Sequence, residues 1–267
     1  MLRPKKIEKK KSLGQHFLKS AHYLRAVADA AEITEGEVIV EVGPGEGTLT
    51  RELLSRGAQV IALEKDSRLI PMLGITFEKE IRSGTLEILE GDALEWETES
   101  RNYKVVGNIP YYITGALLRK FLSAPQQPST IVFLMQKEVV ERIARSKKES
   151  LLSLSIKAYG TAAYILSVPR GAFAPPPNVD SAILAIKDIS RNNFSNAVDE
   201  RMFFELLHAG FAQKRKLLRR NLEQLLGHDT EMLMQTGGIP RDARAEDVPL
   251  SAWLELAKIK DYRREIQ

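Results

Sequence analysis

The segment Asn108-Ile109-Pro110-Tyr111-Tyr112 combines an amide side chain, a proline-stiffened turn and two aromatic rings. The Asn108 amide oxygen and the Ile109 main-chain carbonyl can each accept one N–H of an exocyclic amine, which favours a pyramidal nitrogen with its lone pair free to attack. Pro110 stiffens the backbone that orients this carbonyl. Tyr111 can stack on an extruded base, at about 1 to 3 kcal/mol. The pattern predicts alkylation of a nucleobase amine, with a β-turn between core aromatics as the alternative.

A glycine-rich bend follows the apolar run Val38–Val42 and forms the second candidate site. Gly43, Gly45 and Gly47 have no Cβ atom, so a ligand can lie against the main chain. Their G-x-G-x-G spacing differs from the G-x-G-x-x-G of dinucleotide-binding folds, and no Lys-Ser/Thr pair follows, as a triphosphate loop requires. The bend therefore favours a nucleoside without phosphates, with a structural strand-to-helix turn as the alternative.

Two carboxylates lie at the ends of further strand-like runs. Glu64 ends the run Ala58–Glu64, and Asp92 follows the run Leu86–Glu90. Glu64 can accept both hydroxyl hydrogens of a ribose, and Asp92 can accept a hydrogen from an adenine amine. Ligands of open parallel sheets bind at the carboxyl ends of the strands, where both residues are expected. Ordinary solvated carboxylates are the alternative for each residue alone.

Hydrophobic patterning places these residues on a parallel α/β fold. The predicted strands are Val38–Val42, Ala58–Glu64, Leu86–Glu90, Tyr103–Gly107, Ser129–Met135, Thr161–Val168 and Ala182–Lys187. The predicted helices of this part are one after Ser20, then Thr48–Arg56, Arg68–Ile81 with a break near Pro71 and Gly74, and Gln136–Arg145. Beyond residue 190 the strand signals vanish, and the predicted helices are Met202–Phe211, Lys216–Leu226, Glu231–Met234 and Ser251–Ile259. We expect an α/β domain over residues 1–190 and a small all-α domain over 191–267.

The composition excludes several chemistries. The 267-residue chain has no cysteine, which removes disulfides, cysteine-ligated clusters and thiolate nucleophiles. Its four histidines show no metal-ligand spacing, so no metal is predicted. No run approaches the ~18 apolar residues of a membrane span. We expect a soluble cytoplasmic protein that makes no membrane contact and, lacking an evident dimerisation helix, is a monomer.

The net charge of +4 is unevenly distributed along the chain. Basic residues cluster in residues 1–25, which include a basic arm over 1–11, and again in 142–148 and 214–220. Such patches favour a polyanionic partner, because phosphate neutralisation releases counterions. Candidate phosphate contacts in the last patch are Lys214, Arg215, Arg219 and Arg220. Solvated, solubilising faces are the alternative for each patch.

Together these motifs resemble the ribosomal RNA adenine N6-dimethyltransferase family. The resemblance is carried by Lys11–Leu18, Glu41–Thr50, Glu64, Gly91–Leu94, Asn108–Tyr112, Gly171–Ser181 and Phe211–Leu218. It implies a Rossmann-like, seven-stranded class I S-adenosylmethionine-dependent methyltransferase domain followed by a helical RNA-facing domain. It also implies methyl transfer to two adjacent adenosines near the 3′ end of small-subunit (16S) ribosomal RNA, with the 30S precursor as partner and a role in ribosome biogenesis.

The resemblance also implies roles for individual residues. Cofactor-binding positions would be Gln15, His16, Leu18, Gly43, Gly45, Glu64, Asp92 and Asn108. Of these, Gln15, His16 and Leu18 would close over the methionine end of S-adenosylmethionine. Asn108 would touch both cofactor and target base. Many members of the family carry asparagine where this chain has His16, so a backbone contact there is retained while a side-chain contact stays open.

Two interpretations of Phe173 are open. It could form the second face of a stacking clamp with Tyr111, or it could plug the core beneath the proline-rich loop.

Two other functions remain open from sequence. One is a large-subunit adenine methyltransferase of the antibiotic-resistance type, although Gly171–Ser181 and Phe211–Leu218 lean toward the small-subunit type. The other is a non-catalytic ribosome assembly factor that uses the cofactor only for stability.

Overall fold

The computed structural model describes residues 16–100 and 102–266, so Gln15 and the predicted basic arm 1–11 lie outside the described residues. The chain divides into two compact units. The first comprises Met1–Glu141 and Ala162–Ile189, and the second comprises Arg142–Thr161 and Ser190–Gln267. Residues 142–161, which the sequence places in the first domain, thus group with the second unit.

The first unit is built around a seven-stranded sheet, as predicted. The strands of the described residues are β1 (Phe17–Leu18), β2 (Val38–Val42), β3 (Gln59–Glu64), β4 (Leu86–Glu90), β5 (Tyr103–Asn108), β6 (Thr130–Gln136), β7 (Thr161–Val168), β8 (Phe173–Ala174) and β9 (Ser181–Lys187). The sheet order is β4-β3-β2-β5-β6-β9-β7, with β2 to β6 parallel and β9 antiparallel to β6. The strands β3 and β4 follow on one side of β2, and β5 and β6 follow on its other side, so the strand order reverses between β2 and β5. In parallel sheets a ligand crevice opens at such a reversal, here at the carboxyl ends of β2 and β5.

Helices connect the strands and form the second unit. They are α1 (Ala21–Ala30), α2 (Thr48–Leu54), α3 (Ile70–Thr76), α4 (Glu78–Ser83), α5 (Thr114–Ser123), α6 (Lys137–Ala144), α7 (Leu151–Lys157), α8 (Ala197–Gly210), α9 (Leu218–Leu226), α10 (Thr230–Thr236) and α11 (Leu250–Ile266). The helix predicted over residues 68–81 is two helices that meet at Phe77, whose backbone (φ −117°, ψ 30°) leaves the helical region while its ring is buried. Pro71 lies within the first turn of α3, where proline is tolerated, so it does not cause the break.

The second unit has a hydrophobic core of its own, centred on Trp253 and Phe203. Leu154 of α7 and Ala158, the residue that caps the carboxyl end of this helix, are fully buried in that core. Burying a leucine side chain is worth about 1.5 to 3 kcal/mol, which explains why α7 joins this unit although it precedes β7 in the chain.

A short two-stranded ribbon, which the sequence analysis did not predict, pairs the start of the described chain with residues 173–174. Strand β1 pairs antiparallel with β8, in a register that places Phe17 opposite Ala174 and Leu18 opposite Phe173. The Thr48 hydroxyl donates a hydrogen bond to the Leu18 carbonyl (3.1 Å), which ties the ribbon to α2.

The central strand β2 contains a buried carboxyl group. Glu41 is 1% exposed, and its Oε2 accepts a hydrogen bond of 2.6 Å from the Thr50 hydroxyl. Burial raises the pKa of Glu41 from its ordinary value of 4.5 to about 8, because a charge is poorly solvated there. The carboxyl is therefore largely protonated in the folded protein at neutral pH.

We expect Glu41→Gln to flatten the pH dependence of the free energy of unfolding. The unfolded chain loses the Glu41 proton near pH 4.5 and the folded chain only near pH 8, so this group lowers stability as the pH rises between these values. The slope for one such proton is about 1.4 kcal/mol per pH unit. Urea unfolding between pH 5 and 8 measures it. The exposed strand residue Glu90 provides the control, Glu90→Gln, and a wild-type slope retained in Glu41→Gln would contradict the expectation.

Candidate active site

A cavity opens at the carboxyl ends of β2, β3 and β5 in the first unit. The predicted site residues that line it are His16, Leu18, Gly43, Gly45, Glu64, Asp92, Asn108, Ile109, Pro110, Tyr111 and Phe173. The residues predicted to bind the cofactor or to act in catalysis, as far as they lie within the described chain, are thus brought to one place. Gly47 of the glycine bend lies against the Phe77 ring instead. The cavity holds ≈ 1190 Å³ of empty space including its open mouth.

The glycine bend forms one wall of this cavity. Gly43 and Gly45 have φ values of +69° and +59°, which side chains rarely adopt. A Cβ on Gly45 would come within 2.6 Å of the Phe17 ring, whereas a Cβ on Gly43 would meet no atom within 4 Å. Gly45 therefore admits the ribbon, while Gly43 leaves open main chain for a ligand.

Glu64 ends β3 and is held beside the bend. Its Oε2 accepts a hydrogen bond from the Gly45 amide (3.0 Å) and its Oε1 accepts one from the Asp66 amide (2.8 Å). Burial raises the pKa of Glu64, even though both amides favour the charged form. Each carboxylate oxygen has a second lone pair, so both oxygens can still accept a ligand hydroxyl.

Both carboxylate oxygens of Asp92 already accept a hydrogen bond within the protein. Its Oδ2 accepts a hydrogen bond of 2.6 Å from the Lys65 ammonium, and its Oδ1 accepts one of 3.0 Å from the Leu94 amide. The bond from Lys65 is the main reason that the pKa of Asp92 is lowered. The Lys65 side chain is 65% exposed, so this ion pair is weak and can yield to another donor.

Asn108 ends β5 with its amide group fixed in one orientation. Its Nδ2 donates a hydrogen bond of 2.7 Å to the His16 main-chain carbonyl. A carbonyl oxygen can only accept, so the Nδ2 must face His16 and the Oδ1 must point away from it. The half-buried Asn108 lines the cavity, and its Oδ1 is the end of the amide that His16 does not engage.

The contact at His16 is made by its backbone, and its side chain has a different partner. The ring Nδ1 lies 2.9 Å from the Pro175 carbonyl and donates to it. His16 therefore joins Asn108 to the proline-rich loop. A side-chain contact of His16 with a cofactor remains a prediction.

The turn after Asn108 is a 3₁₀ helix over Tyr111–Ile113, closed by a hydrogen bond of 3.2 Å from the Ile113 amide to the Pro110 carbonyl. Ile109 is 2% exposed and anchors the turn in the core. Phe173 is 5% exposed, belongs to the hydrophobic core and also lines the cavity. Both interpretations of Phe173 are compatible with this position.

Two residues around the cavity were missed by the sequence analysis. Lys65 donates a hydrogen bond to Asp92, and Ser181 contacts Tyr111. Tyr112, the last residue of the predicted segment Asn108–Tyr112, lines the cavity with 67% of its surface exposed. Lys65 directly follows the predicted Glu64, and this adjacency was an available signal. Ser181 lies 70 residues from Tyr111, and no local pattern indicates that contact.

The basic patches are only partly available for a polyanion. Arg219 is paired with Glu231 (3.1 Å) and Lys148 with Glu246 (2.6 Å). Lys214, Arg215 and Arg220 are exposed, and no ion pair to them occurs within the described chain. Most of the patch over 1–25 lies outside the described residues.

Among residues 16–100 and 102–266, no helix combines the length and apolar character that crossing a bilayer requires. The same part of the chain contains no cluster of three or more His, Asp or Glu side chains arranged to hold a metal ion.

Comparison with known proteins places this arrangement in context. Residues 6–262 match the family described as Ribosomal RNA adenine dimethylase. The chain is 41% identical to Ribosomal RNA small subunit methyltransferase A of Dehalococcoides mccartyi over 256 residues, which are 94% of this chain and 88% of the relative. It is 39% identical to the protein of the same name from Deinococcus radiodurans, over 90% of this chain and 82% of the relative.

Two solved structures share the fold over nearly the whole chain. The 23S rRNA methyltransferase ErmE is 28% identical, with a TM-score of 0.74 and coverage of 92% of this chain and 99% of that one. A dimethyladenosine transferase from Plasmodium falciparum has a TM-score of 0.76, covers 94% of this chain and 98% of its own, and at 24% identity supports the fold alone. The class I methyltransferase fold expected from the sequence is confirmed, and the chain belongs to the ribosomal RNA adenine dimethylase family.

Proposed function

We propose that this protein transfers methyl groups from S-adenosylmethionine to N6 of two adjacent adenosines near the 3′ end of small-subunit ribosomal RNA. The observation that carries the proposal is the oriented Asn108 amide beside the glycine bend, in a chain 41% identical to a small subunit methyltransferase A. We further propose that it acts as a cytoplasmic monomer on the 30S precursor during ribosome biogenesis.

The residues of the cavity fit S-adenosylmethionine. When bound, this cofactor supplies an electrophilic methyl group on a sulfonium. The open main chain at Gly43 suits the methionine end, and His16 and Leu18 of the ribbon would close over it. Glu64 would hold the ribose, and Asp92 would accept the adenine amine after exchanging its bond with Lys65. Gln15 keeps its proposed contact with the methionine end, outside the described residues.

The target amine needs acceptors because its lone pair is delocalised into the adenine ring. The Asn108 Oδ1, directed away from His16, would accept one N–H, and the Ile109 carbonyl would accept the other. These two bonds favour a pyramidal nitrogen whose lone pair can face the methyl group, so the main contribution of the protein is orientation. No general base is required, because the methylated ammonium is acidic enough to release its proton to water.

The target base would have to leave its stack to reach the cavity. Tyr111 offers an aromatic face for it, and Phe173 on the cavity wall could supply the second face. Each such stacking contact is worth about 1 to 3 kcal/mol, which would offset part of the cost of extrusion.

Two alternatives are separated by their substrates. ErmE is a 23S rRNA methyltransferase, so the similarity to it favours a large-subunit target. The more similar relatives named small subunit methyltransferase A favour the small subunit. A non-catalytic assembly factor would bind RNA without transferring methyl groups. The oriented Asn108 argues against this last function, since binding alone does not need it.

We expect methyl label from S-adenosylmethionine to appear on small subunits that lack the modification. Purified small and large subunits are incubated separately, and mass analysis of the RNA locates the label and counts the methyl groups. Label on the large subunit alone would favour the ErmE-like alternative. No label on either would favour the assembly factor.

We expect Asn108→Ala to lower the single-turnover rate of methyl transfer by about 100-fold or more, as for other groups that act mainly in the transition state. Asn108→Asp should also be impaired, because a carboxylate would face the His16 carbonyl that the amide now contacts at 2.7 Å. The control is Asn193→Ala, which removes an amide donating to the Ala158 carbonyl (2.8 Å) in the second unit. Full activity in Asn108→Ala would refute the acceptor role.

We expect the double charge reversal Lys214→Glu, Arg215→Glu to weaken RNA binding and to reduce the salt slope of log K by about two, one for each lost phosphate contact. Both side chains are exposed in the second unit. The matched control is Lys79→Glu, Arg82→Glu on α4, which changes the net charge equally. Equal slopes in the two double variants would show that the effect is one of overall charge, and this patch would then not contact phosphate.

A further inference from the structure

A hydrogen bond links Tyr111 of the candidate site to Ser181, which lies on a strand two positions away from β5 in the sheet. The Tyr111 hydroxyl oxygen lies 2.8 Å from the Ser181 Oγ. Tyr111 follows β5, whereas Ser181 is the first residue of β9, and strand β6 lies between them in the sheet. Ser181 is in register with Gln136, the last residue of β6. The Tyr111 side chain therefore spans the carboxyl end of β6.

The surroundings of the two hydroxyl groups differ. Ser181 is completely buried, and its side chain has no hydrogen-bond partner other than Tyr111 within the described residues. Tyr111 is half-buried and lines the cavity. A buried hydroxyl needs a partner, so Ser181 holds the phenol where it is. Burial also raises the pKa of Tyr111, and the phenol keeps its proton at neutral pH.

The bond restrains the plane of the ring as well as its position. One end of the side chain is fixed by the 3₁₀ turn, and the other end is fixed by Ser181. Either hydroxyl can donate in this bond. Conjugation keeps the phenolic C–O–H group and its accepting lone pair near the plane of the ring, so a directed hydrogen bond with Ser181 favours one rotation about the ring axis in either case. The face of Tyr111 is thus oriented before any base arrives.

We propose that Ser181 is a positioning residue that orients Tyr111 for stacking on the extruded target base. The proposal rests on the proposed function, since it assigns a role to a residue that touches neither base nor cofactor. Without Ser181, the ring would have to be ordered as the base enters. Ordering one such side chain costs roughly 2- to 12-fold in occupancy of the stacked state.

A double-mutant cycle tests the proposal through single-turnover methyl transfer to unmodified small subunits. We expect Ser181→Ala and Tyr111→Phe each to lower the rate constant at saturating substrate by roughly 2- to 12-fold. Both remove the same hydrogen bond, so the double variant should be no slower than the slower single variant. RNA affinity should stay at the wild-type value, because phosphate contacts dominate it. Cofactor affinity should also be unchanged.

Two control variants remove comparable hydroxyl groups elsewhere. Ser153→Ala removes another fully buried serine hydroxyl, in the second unit, which donates to the Glu149 Oε2 (2.7 Å). Tyr103→Phe removes a phenol that donates to the Gln126 carbonyl (2.8 Å). Both should leave the transfer rate at the wild-type value. Urea unfolding of every variant reports any loss of stability separately from the loss of rate.

The outcomes separate this inference from the proposed function. Rate effects of Ser181→Ala and Tyr111→Phe that multiply in the double variant, or a wild-type rate in Ser181→Ala, would overturn the positioning role. If Ser181→Ala fails to fold, Tyr111→Phe decides, and a wild-type rate there overturns the proposal. A wild-type protein that transfers no methyl group would instead refute the proposed function. An undiminished rate in Tyr111→Ala would leave the proposed function standing and would overturn the stacking role of Tyr111, and with it the positioning role of Ser181.

Discussion

The site depends on the hydrogen bond from the Asn108 Nδ2 to the main-chain carbonyl of His16. An asparagine amide has a donor end and an acceptor end, and only the acceptor can accept a hydrogen bond from an exocyclic amine. The carbonyl at His16 removes this ambiguity because it pairs with the donor end. Using a main-chain group makes the orientation independent of the side chain at position 16. That side chain instead contacts the Pro175 carbonyl and ties the same segment to the proline-rich loop.

The same bond explains why distant parts of the first unit must fold together. The His16 carbonyl is held in place by the pairing of β1 with β8 and by the hydrogen bond from Thr48 to Leu18. The ribbon can approach the bend only because residue 45 is glycine, since any Cβ there would overlap the Phe17 ring. The bend that leaves main chain open to a cofactor therefore also seats the segment that orients Asn108. Binding and orientation are coupled through a few backbone contacts.

Local patterns in the sequence predicted the strands, the glycine bend and the carboxylates at strand ends, because an apolar run followed by a polar residue marks a strand end regardless of the rest of the chain. Contacts between distant residues could not be predicted in this way. The bond from His16 to Pro175 joins residues 159 positions apart, and that from Lys65 to Asp92 joins residues 27 apart. The β1–β8 ribbon has two residues per strand and no recognisable period. The position of α7 follows from its burial in the second core, which depends on helices later in the chain.

A crystal structure of the protein with sinefungin, a mimic of the cofactor, and an RNA oligonucleotide containing the target adenosine tests this account most directly. We predict that the adenine N6 lies within about 2.7–3.2 Å of the Asn108 Oδ1 in this complex. The Nδ2 should remain on the His16 carbonyl, and the amine of sinefungin that replaces the methyl-bearing centre should lie beside N6. A complex in which the Asn108 Nδ2 faces the base, or in which sinefungin lies away from Gly43, would contradict it.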